Sequence, residues 1–307
     1  MERGGRDERR RPWHARRRHV RAAWIIARLT VAEAARRRIL WVLLALTLLS
    51  VLLTTWGVER LVTLARGGDT PANEIEIQVG VSQVLILVAF MFSFVLAMTA
   101  AFLGAPSIAS DLESGIAHSM LARPIRRADL VVGRWIGLAA IVIAYASLSG
   151  LLEVAAVRLV SGYSPPQPWL AVVFLSGQAI VLLTFAMLLS TRLPAIASGA
   201  VCVVLFGLGW MAGVFAGIGR FFDAGPLVAA AEASRWLLPS DGLWRGTIYA
   251  LEPSVVIAGI VGVGGPRAAA NPFFASTPPP IEFIVWTVVW VATVLALATW
   301  SLSRRDL

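Results

Sequence analysis

The residues best suited to chemistry lie in one polar segment, residues 110–135, which separates two long apolar runs. It combines an acidic pair, a glycine, an Arg-Pro break and a double arginine: Asp111, Glu113, Gly115, Pro124, Arg126 and Arg127. Ile108, Leu112 and Ile116 would share one face of a short helix. Apolar anchors between charges favour docking into a groove on a soluble partner. A structural loop whose arginines only set the topology is the alternative.

The other polar residues do not indicate catalysis. All 27 basic residues are arginine, which excludes both a P-loop and a Schiff-base lysine. His14, His19 and His118 lie outside the apolar runs, and the single Cys202 lies inside one. No HExxH motif or similar ligand cluster occurs. We therefore predict no catalytic residue, no metal site and no cofactor bound by this chain, which is not an enzyme.

Some polar residues occur inside the apolar runs. Glu153 lies at the end of the third run, and Arg158 follows one and a half helical turns later. An intramembrane carboxylate is a functional candidate, but this position favours an interfacial acid beside an arginine over a proton relay. Ser82, Ser93 and Thr99 form a mild polar stripe, which fits either a translocation pathway or ordinary hydrogen bonds between helices.

The elements that must position these residues are membrane helices. Hydrophobic residues make up 58% of the chain, charged residues only 15%, and the mean hydropathy is +0.76. Soluble domains carry about 25% charged residues. Six runs approach the ~20 apolar residues that cross a bilayer, at about 39–58, 81–104, 130–152, 169–190, 194–218 and 283–303. A seventh run, Val255–Val263, is too short. The predicted fold is an all-α integral membrane protein with six transmembrane helices.

The distribution of arginine predicts the topology. Twenty of the 27 arginines, with 8 acidic residues, fall on one side, in residues 1–38, 105–134, 191–193 and 302–307. The other side holds 7 arginines and 10 acidic residues. The positive-inside rule therefore predicts a multi-pass protein of the inner (cytoplasmic) membrane with both termini in the cytoplasm.

Local patterns predict where several helices begin. Residues 1–19 are arginine-rich and are expected to form a disordered tail. Residues 20–29 suit an amphipathic segment at the membrane interface. Thr30-Val-Ala-Glu33 matches a capping box that would start a new helix near Val31, and Ser110-Asp-Leu-Glu113 matches a second one. A short helix over 116–121 would end at Pro124.

The outer side has one large region, residues 220–282, before the last span. Within it, Ser240–Leu251 is predicted to form a capped amphipathic helix with Leu243, Trp244, Ile248 and Leu251 on its apolar face. Such a helix fits an external gate or partner platform, or a lipid-surface helix that only covers the bundle.

Glycines recur at four-residue spacing in the fifth span, at Gly209, Gly213 and Gly217. Small residues with this period let helix backbones approach closely in lipid. They predict helix packing within the bundle, or a dimer interface or sliding face.

The pattern Asp111-Leu-Glu113-Ser-Gly115, followed by Leu121-Ala-Arg-Pro124-Ile-Arg-Arg127 and Gly133, resembles the first cytoplasmic loop of ABC-2 type transporter permeases. Residues 27–41 are similar to the first helix of that family, and Arg304-Arg-Asp306 to its usual ending. The resemblance covers nearly the whole chain, so that 20–307 would be the permease domain. It looks closest to the permeases grouped with copper-enzyme maturation, such as the nitrous-oxide reductase accessory system.

The resemblance implies a transmembrane subunit of an ATP-driven exporter. Its partners would be a P-loop ABC ATPase subunit, which binds ATP and Mg²⁺, a second permease copy in a homodimer or heterodimer, and the lipid membrane. No nucleic-acid partner is expected. The loop 105–129 would couple the permease to the ATPase through Asp111, Leu112, Glu113, Gly115, Ile116, Leu121, Arg123, Pro124, Arg126 and Arg127. The alternative is a multi-pass scaffold that recruits partner proteins without transport.

Overall fold

The computed structural model describes residues 12–35, 38–68, 72–113, 126–263 and 271–304. The regular structure in these ranges is entirely helical, which confirms the predicted all-α class. In chain order the helices are α1 Pro12–Ala35, α2 Arg38–Gly67, α3 Glu74–Gly104, α4 Pro106–Glu113, α5 Arg127–Ser161, α6 Pro168–Ser190, α7 Ala195–Phe221, α8 Gly225–Leu237, α9 Ser240–Leu251, α10 Ser254–Val263 and α11 Ile281–Ser303.

Six helical stretches are long and apolar enough to cross a membrane, as predicted: α2, α3 continued by α4, α5, α6, α7 and α11. Several are longer than the apolar runs indicated. Helix α5 has 35 residues, or roughly 52 Å at 1.5 Å per residue, whereas a hydrocarbon core is about 30 Å thick. These helices continue through polar residues at their ends, which an apolar run cannot reveal.

Helix α6 is the centre of the bundle. It packs against α3, α5, α7, α9 and α11. In its most apolar stretch 67% of residues are buried, against 22% in α11. Its side chains are apolar around the whole circumference, which is typical of a helix that is buried on all sides.

The bundle has two ends. We call the end that contains the last residues of α11 the terminal end, and the opposite end, where α9 ends, the distal end. At the terminal end, Arg127 and Arg192 both donate hydrogen bonds to carbonyls at the end of α11. At the distal end, the last residues of α9 contact Gln83 of α3 and Tyr163, which follows α5.

Helix α1 lies along α5 through a pair of glycines that the sequence analysis did not single out. A methyl group on Gly133 would lie 2.7 Å from the carbonyl oxygen of Ala23, and one on Gly137 would lie 2.7 Å from that of Ala27. The Gly-x-x-x-Gly spacing removes side chains where the two backbones approach. The opposite side of α1 exposes Trp24 and Leu29.

Three predictions about helix ends are wrong. Helix α1 begins at Pro12, so residues 12–19 are not disordered, and residues 1–11 lie outside the described ranges. The hydroxyl of Thr30 donates to the carbonyl of Ile26 inside α1, and that of Ser110 to Pro106 inside α4. Neither residue begins a helix. In each case the hydroxyl donates to the carbonyl four residues earlier, and the helix continues through the motif because of its tertiary packing.

The capping box that the structure contains is at Asn73. The amide of Glu76 donates to Asn73 Oδ1 over 2.9 Å, and the amide of Asn73 donates to Glu76 Oε2 over 3.1 Å. It satisfies two backbone donors at the start of α3, at the distal end.

We predict that Gly137→Ala loosens the contact between α1 and α5. The added methyl meets a backbone oxygen that cannot move alone, so the free energy of unfolding should fall by about 1–3 kcal/mol. The matched control is Gly57→Ala in α2, where nothing lies within 4 Å of the added methyl. Thermal unfolding of the purified proteins measures both, and equal midpoints would contradict the close approach.

Candidate functional site

The described residues of the predicted coupling segment lie at the terminal end. Asp111, Leu112 and Glu113 form the last turn of α4. Gly115, Ile116, Leu121, Arg123 and Pro124, with the short helix predicted over 116–121, lie outside the described residues. Arg126 precedes the first residue of α5 and is exposed, and Arg127 begins that helix.

Helix α4 is anchored where it leaves α3. Ile108 is 2% exposed and belongs to the main apolar core with residues of α6 and α7. The guanidinium group of Arg134 on α5 donates to the carbonyl oxygen of Ser107. A cavity of about 40 Å³ lies beside this contact, between α1, α4 and α5, and includes Glu33 and Ser110 in its lining. The start of α4 is therefore bonded to α5 and packed on α6 and α7.

Two arginines hold the end of the last span, an arrangement that we call the terminal clamp. Arg127 Nη1 donates to the carbonyls of Leu302 and Ser303, each over 2.9 Å. Arg192 donates from Nε to the Ser301 hydroxyl over 2.9 Å and from Nη2 to the Ser301 carbonyl over 3.2 Å. Cations at a helix C-terminus satisfy its last carbonyls and complement the helix dipole. The clamp connects α5 and the α6–α7 turn to α11.

A ladder of polar side chains joins α2 to α5 within the apolar part of the bundle. Thr47 Oγ1 lies 3.0 Å from the Tyr145 hydroxyl and 3.2 Å from the Ser149 hydroxyl. Further along both helices, Ser50 donates to Glu153 Oε1 over 2.6 Å. Such bonds hold helices together in lipid, where apolar contact alone gives little preference.

Glu153 has a different partner from the one that the sequence suggested. Its side chain is 6% exposed and bonds to α2, and within the described part of the chain it makes no ion pair with Arg158. It also borders a cavity of about 30 Å³ that is lined almost entirely by apolar residues of α3, α5 and α6. The carboxylate therefore pairs with Ser50, about a hundred residues earlier in the sequence, and not with the nearby Arg158. That Glu153 lies at the membrane interface stays a prediction.

The polar residues predicted to form a stripe on α3 make two different kinds of hydrogen bond. Ser93 donates to the side chain of Gln178 on α6 over 3.1 Å, so it links two helices. Ser82 and Thr99 bond to backbone carbonyls of their own helix instead. These bonds are structural and do not by themselves form a polar path.

Helix α9 begins and ends where predicted, but it is inserted into the bundle. Ten of its twelve residues are buried, and its main neighbour is α6. Aromatic rings pack closely against two of its glycines, Phe174 against Gly246 and Phe283 against Gly242. The lipid-surface interpretation is thus wrong. The predicted cap is wrong as well, because no side chain caps α9 and the Ser240 hydroxyl is buried without a partner among the described residues.

A buried acid follows the end of α9. Glu252 is 0% exposed, and its Oε1 accepts a hydrogen bond from Gln83 Nε2 over 3.1 Å. Its Oε2 has no partner among the described residues. Burial raises the pKa of Glu252 to about 7, and the bond from Gln83 lowers it only in part. Burial also raises the pKa of Tyr163, and the negative charge of Glu252 raises it further.

Comparison with known families decides the class of the protein. Residues 24–307 match the sequence profile of the ABC-2 family transporter proteins. The chain belongs to this family. Among the curated proteins, none matches the sequence. The family and the six apolar helices make the chain a multi-pass transmembrane permease.

The glycines at positions 209, 213 and 217 of the permease are buried within the single chain. A methyl group on Gly209 would contact the side chains of Ser240 and Leu238, and one on Gly213 would overlap the Asp241 carboxylate. Gly217 is buried as well. The first two therefore leave room for the start of α9 and for Leu238, two residues before it. A dimer interface formed by this stripe stays a prediction.

The sequence analysis missed several residues that hold the permease together. Arg192 entered only the topology prediction. Its contact with Ser301 could not be predicted from neighbouring residues, because 109 positions separate the two. The glycine pair at 133 and 137 did have a signal, since its spacing equals that of the stripe in α7. No pattern in the sequence indicated that Glu252 would be buried.

Glu252→Gln should remove a pH dependence of stability. The carboxyl pKa rises from the ordinary 4.5 to about 7 on folding, so folding favours the protonated form. The stabilising contribution is complete below pH 4.5 and is lost as pH rises through 7. Glutamine keeps the shape without the charge, so the thermal midpoint of the variant should exceed that of the unmodified permease above pH 7 and match it near pH 4.5.

The control for this prediction is Glu282→Gln, which changes an exposed acid at the start of α11. Its midpoint should follow that of the unmodified permease at every pH. Parallel pH profiles for Glu252→Gln and the unmodified permease would contradict the assignment of the raised pKa.

Proposed function

We propose that the permease is the transmembrane subunit of an ATP-driven exporter and is coupled through residues 111–127 to a separate ATP-binding subunit. The observation that carries the proposal is the position of Arg127. This residue ends the predicted coupling segment and donates to the last carbonyls of α11. The segment is therefore bonded directly to the last span.

The other end of the segment is also fixed to the bundle. Helix α4 leads into the segment, and its first turn is held by Arg134 of α5 and packed through Ile108 on the core. A partner that displaces residues 111–127 would act on α5 and α11 together. Because α1 packs on α5 through Gly133 and Gly137, it would move with α5.

The orientation that this mechanism requires agrees with the charge distribution. The terminal end carries most of the arginines, and the positive-inside rule assigns such an end to the cytoplasm. A cytoplasmic ATPase would then meet the coupling segment. We accordingly place the permease in the inner membrane with both termini in the cytoplasm.

The proposed assembly contains two permease copies, identical or related, and two P-loop subunits that bind ATP and Mg²⁺. The chain has no lysine for a P-loop of its own, which supports a separate ATPase. Within the family, the pattern over residues 111–133 supports a place near the permeases of copper-enzyme maturation, and export is the direction that the resemblance implies.

Charge reversal at the coupling segment tests the function. Tagged permease co-expressed with a candidate ABC ATPase subunit from the same genome should co-purify with that subunit, and Glu113→Arg should lower recovery about tenfold or more, because a like-charge contact at an interface suppresses binding. Deletion of residues 112–121 should abolish recovery. The matched control is Glu59→Arg at the exposed distal end of α2, which should leave recovery unchanged.

Arg127→Ala separates coupling from binding. The ATPase subunit should still co-purify, while ATP-driven transport in proteoliposomes falls, because the bonds from the segment to α11 are lost. Full ATPase recovery with Glu113→Arg and with the deletion would reject the coupling segment. Failure of the unmodified permease to bind any ABC ATPase would favour a scaffold.

A further inference from the structure

A cluster of charged side chains lies at the distal end where α7, α8 and α9 meet, and we call it the distal corner. It consists of Arg220 at the end of α7, Arg235 on α8, and Asp241 and Arg245 on α9. The Asp241 side chain is 4% exposed, and those of Arg235 and Arg245 are 17% and 20% exposed. The contacts just described for the coupling segment lie at the opposite end of the bundle.

The distal corner has one buried carboxylate for two half-buried arginine side chains. Arg235 Nε lies 2.7 Å from Asp241 Oδ2, and Arg245 Nε lies 3.4 Å from the same oxygen. Arg245 Nη2 donates to the carbonyl of Gly213 over 3.2 Å. Burial lowers the pKa of Arg245, and the like charges of Arg235 and Arg220 lower it further, against the opposite effect of Asp241. One positive charge is left without a counter-charge.

The missing counter-charge is not supplied by other acids of the described chain. Glu232 is held by Arg220 Nη2 over 2.9 Å. Asp223 and Glu282 are exposed, and neither forms an ion pair with another described residue. Arg235 Nη2 and the Ser240 hydroxyl are buried, and neither has a hydrogen-bond partner within the described ranges. Leaving such donors unsatisfied is costly, so the corner is built for an anion with acceptor oxygens.

The surroundings of Arg235 are rich in tryptophan, which is typical of the level of lipid headgroups. The indole nitrogens of Trp286 and Trp290 donate to the carbonyls of Trp236 and Leu237, over 2.9 and 2.8 Å, directly after Arg235. Tryptophan is enriched at both membrane–water interfaces. Trp236 and Leu237 are 46% and 77% exposed, so apolar surface lies next to the guanidinium group. Phosphate next to acyl chains is the chemistry of a phospholipid at this level.

We propose that the distal corner binds a phosphate group, with Arg235 Nη2 as the principal donor, Ser240 as a second donor and Arg245 as the charge behind them. A phospholipid headgroup and free phosphate share this chemistry. Guanidinium groups bind phosphate oxygens through short charge-assisted hydrogen bonds. The site is independent of the ATPase subunit and of the coupling segment.

Thermal unfolding of the full chain in dodecyl maltoside tests the site with three probes. These are dioleoylphosphatidylglycerol, dioleoylglycerol, which has the same chains without phosphate, and sodium phosphate. The phosphatidylglycerol should raise the unfolding midpoint, whereas dioleoylglycerol should not. Arg235→Gln should weaken the apparent affinity for phosphatidylglycerol about tenfold or more. The control is Arg158→Gln, an exposed arginine at the same end of the bundle, which should keep the full response.

The lysine variants keep the test decisive if Arg235→Gln does not fold. Arg235→Lys retains the charge beside Asp241 but loses the second guanidinium nitrogen, so it should bind phosphatidylglycerol more weakly than Arg158→Lys. A response to sodium phosphate that depends on Arg235 would support the site with a soluble ligand. Equal responses to dioleoylglycerol and phosphatidylglycerol, the absence of any response, or an unchanged response in both Arg235 variants would overturn the proposal.

Discussion

Helix α6 must be covered on every side, and the arrangement of the permease follows from that requirement. Apolar side chains surround α6, residues 168–190, and six other helices pack on it. Four of these are membrane spans and one is α4. The sixth is α9, a twelve-residue helix from the region between the last two spans. A short helix can reach this position only where neighbours leave room. Gly213 on α7 and Gly242 and Gly246 on α9 provide that room for Asp241 and for the rings of Phe283 and Phe174.

The same insertion determines where the buried charges lie. Helix α9 brings Asp241 and Arg245 into the bundle and places Glu252 beside Gln83. A buried polar group is stabilised by finding a partner, because an unsatisfied one is costly away from water. Arg245 does so on the carbonyl of Gly213. At the terminal end, Arg127 and Arg192 use the same chemistry on the carbonyls of α11. Arginine thus satisfies free backbone acceptors at both ends of the bundle.

The sequence predicted what depends on single stretches of chain. The lengths of the apolar runs predicted six spans and a 255–263 run too short to cross the membrane. Turn residues predicted the boundaries of α9. These predictions agree with the structure. The capping boxes at Thr30 and Ser110 failed because both motifs lie inside helices that tertiary packing continues. The partners of Glu153 and Arg192 could not be predicted, since Ser50 and Ser301 come close to them only after the helices assemble. Much of the coupling segment, residues 114–125, remains a prediction from its motif.

The two ends of the permease differ in their sensitivity to protons. Arg127 and Arg192 hold α11 through backbone carbonyls, and a backbone carbonyl does not titrate. Glu252 at the distal end titrates near neutrality instead. Mild acidification therefore strengthens the seating of α9 while the attachment of the last span stays as it was. The free energy that seats α9 thus depends on pH through the buried carboxyl group of Glu252.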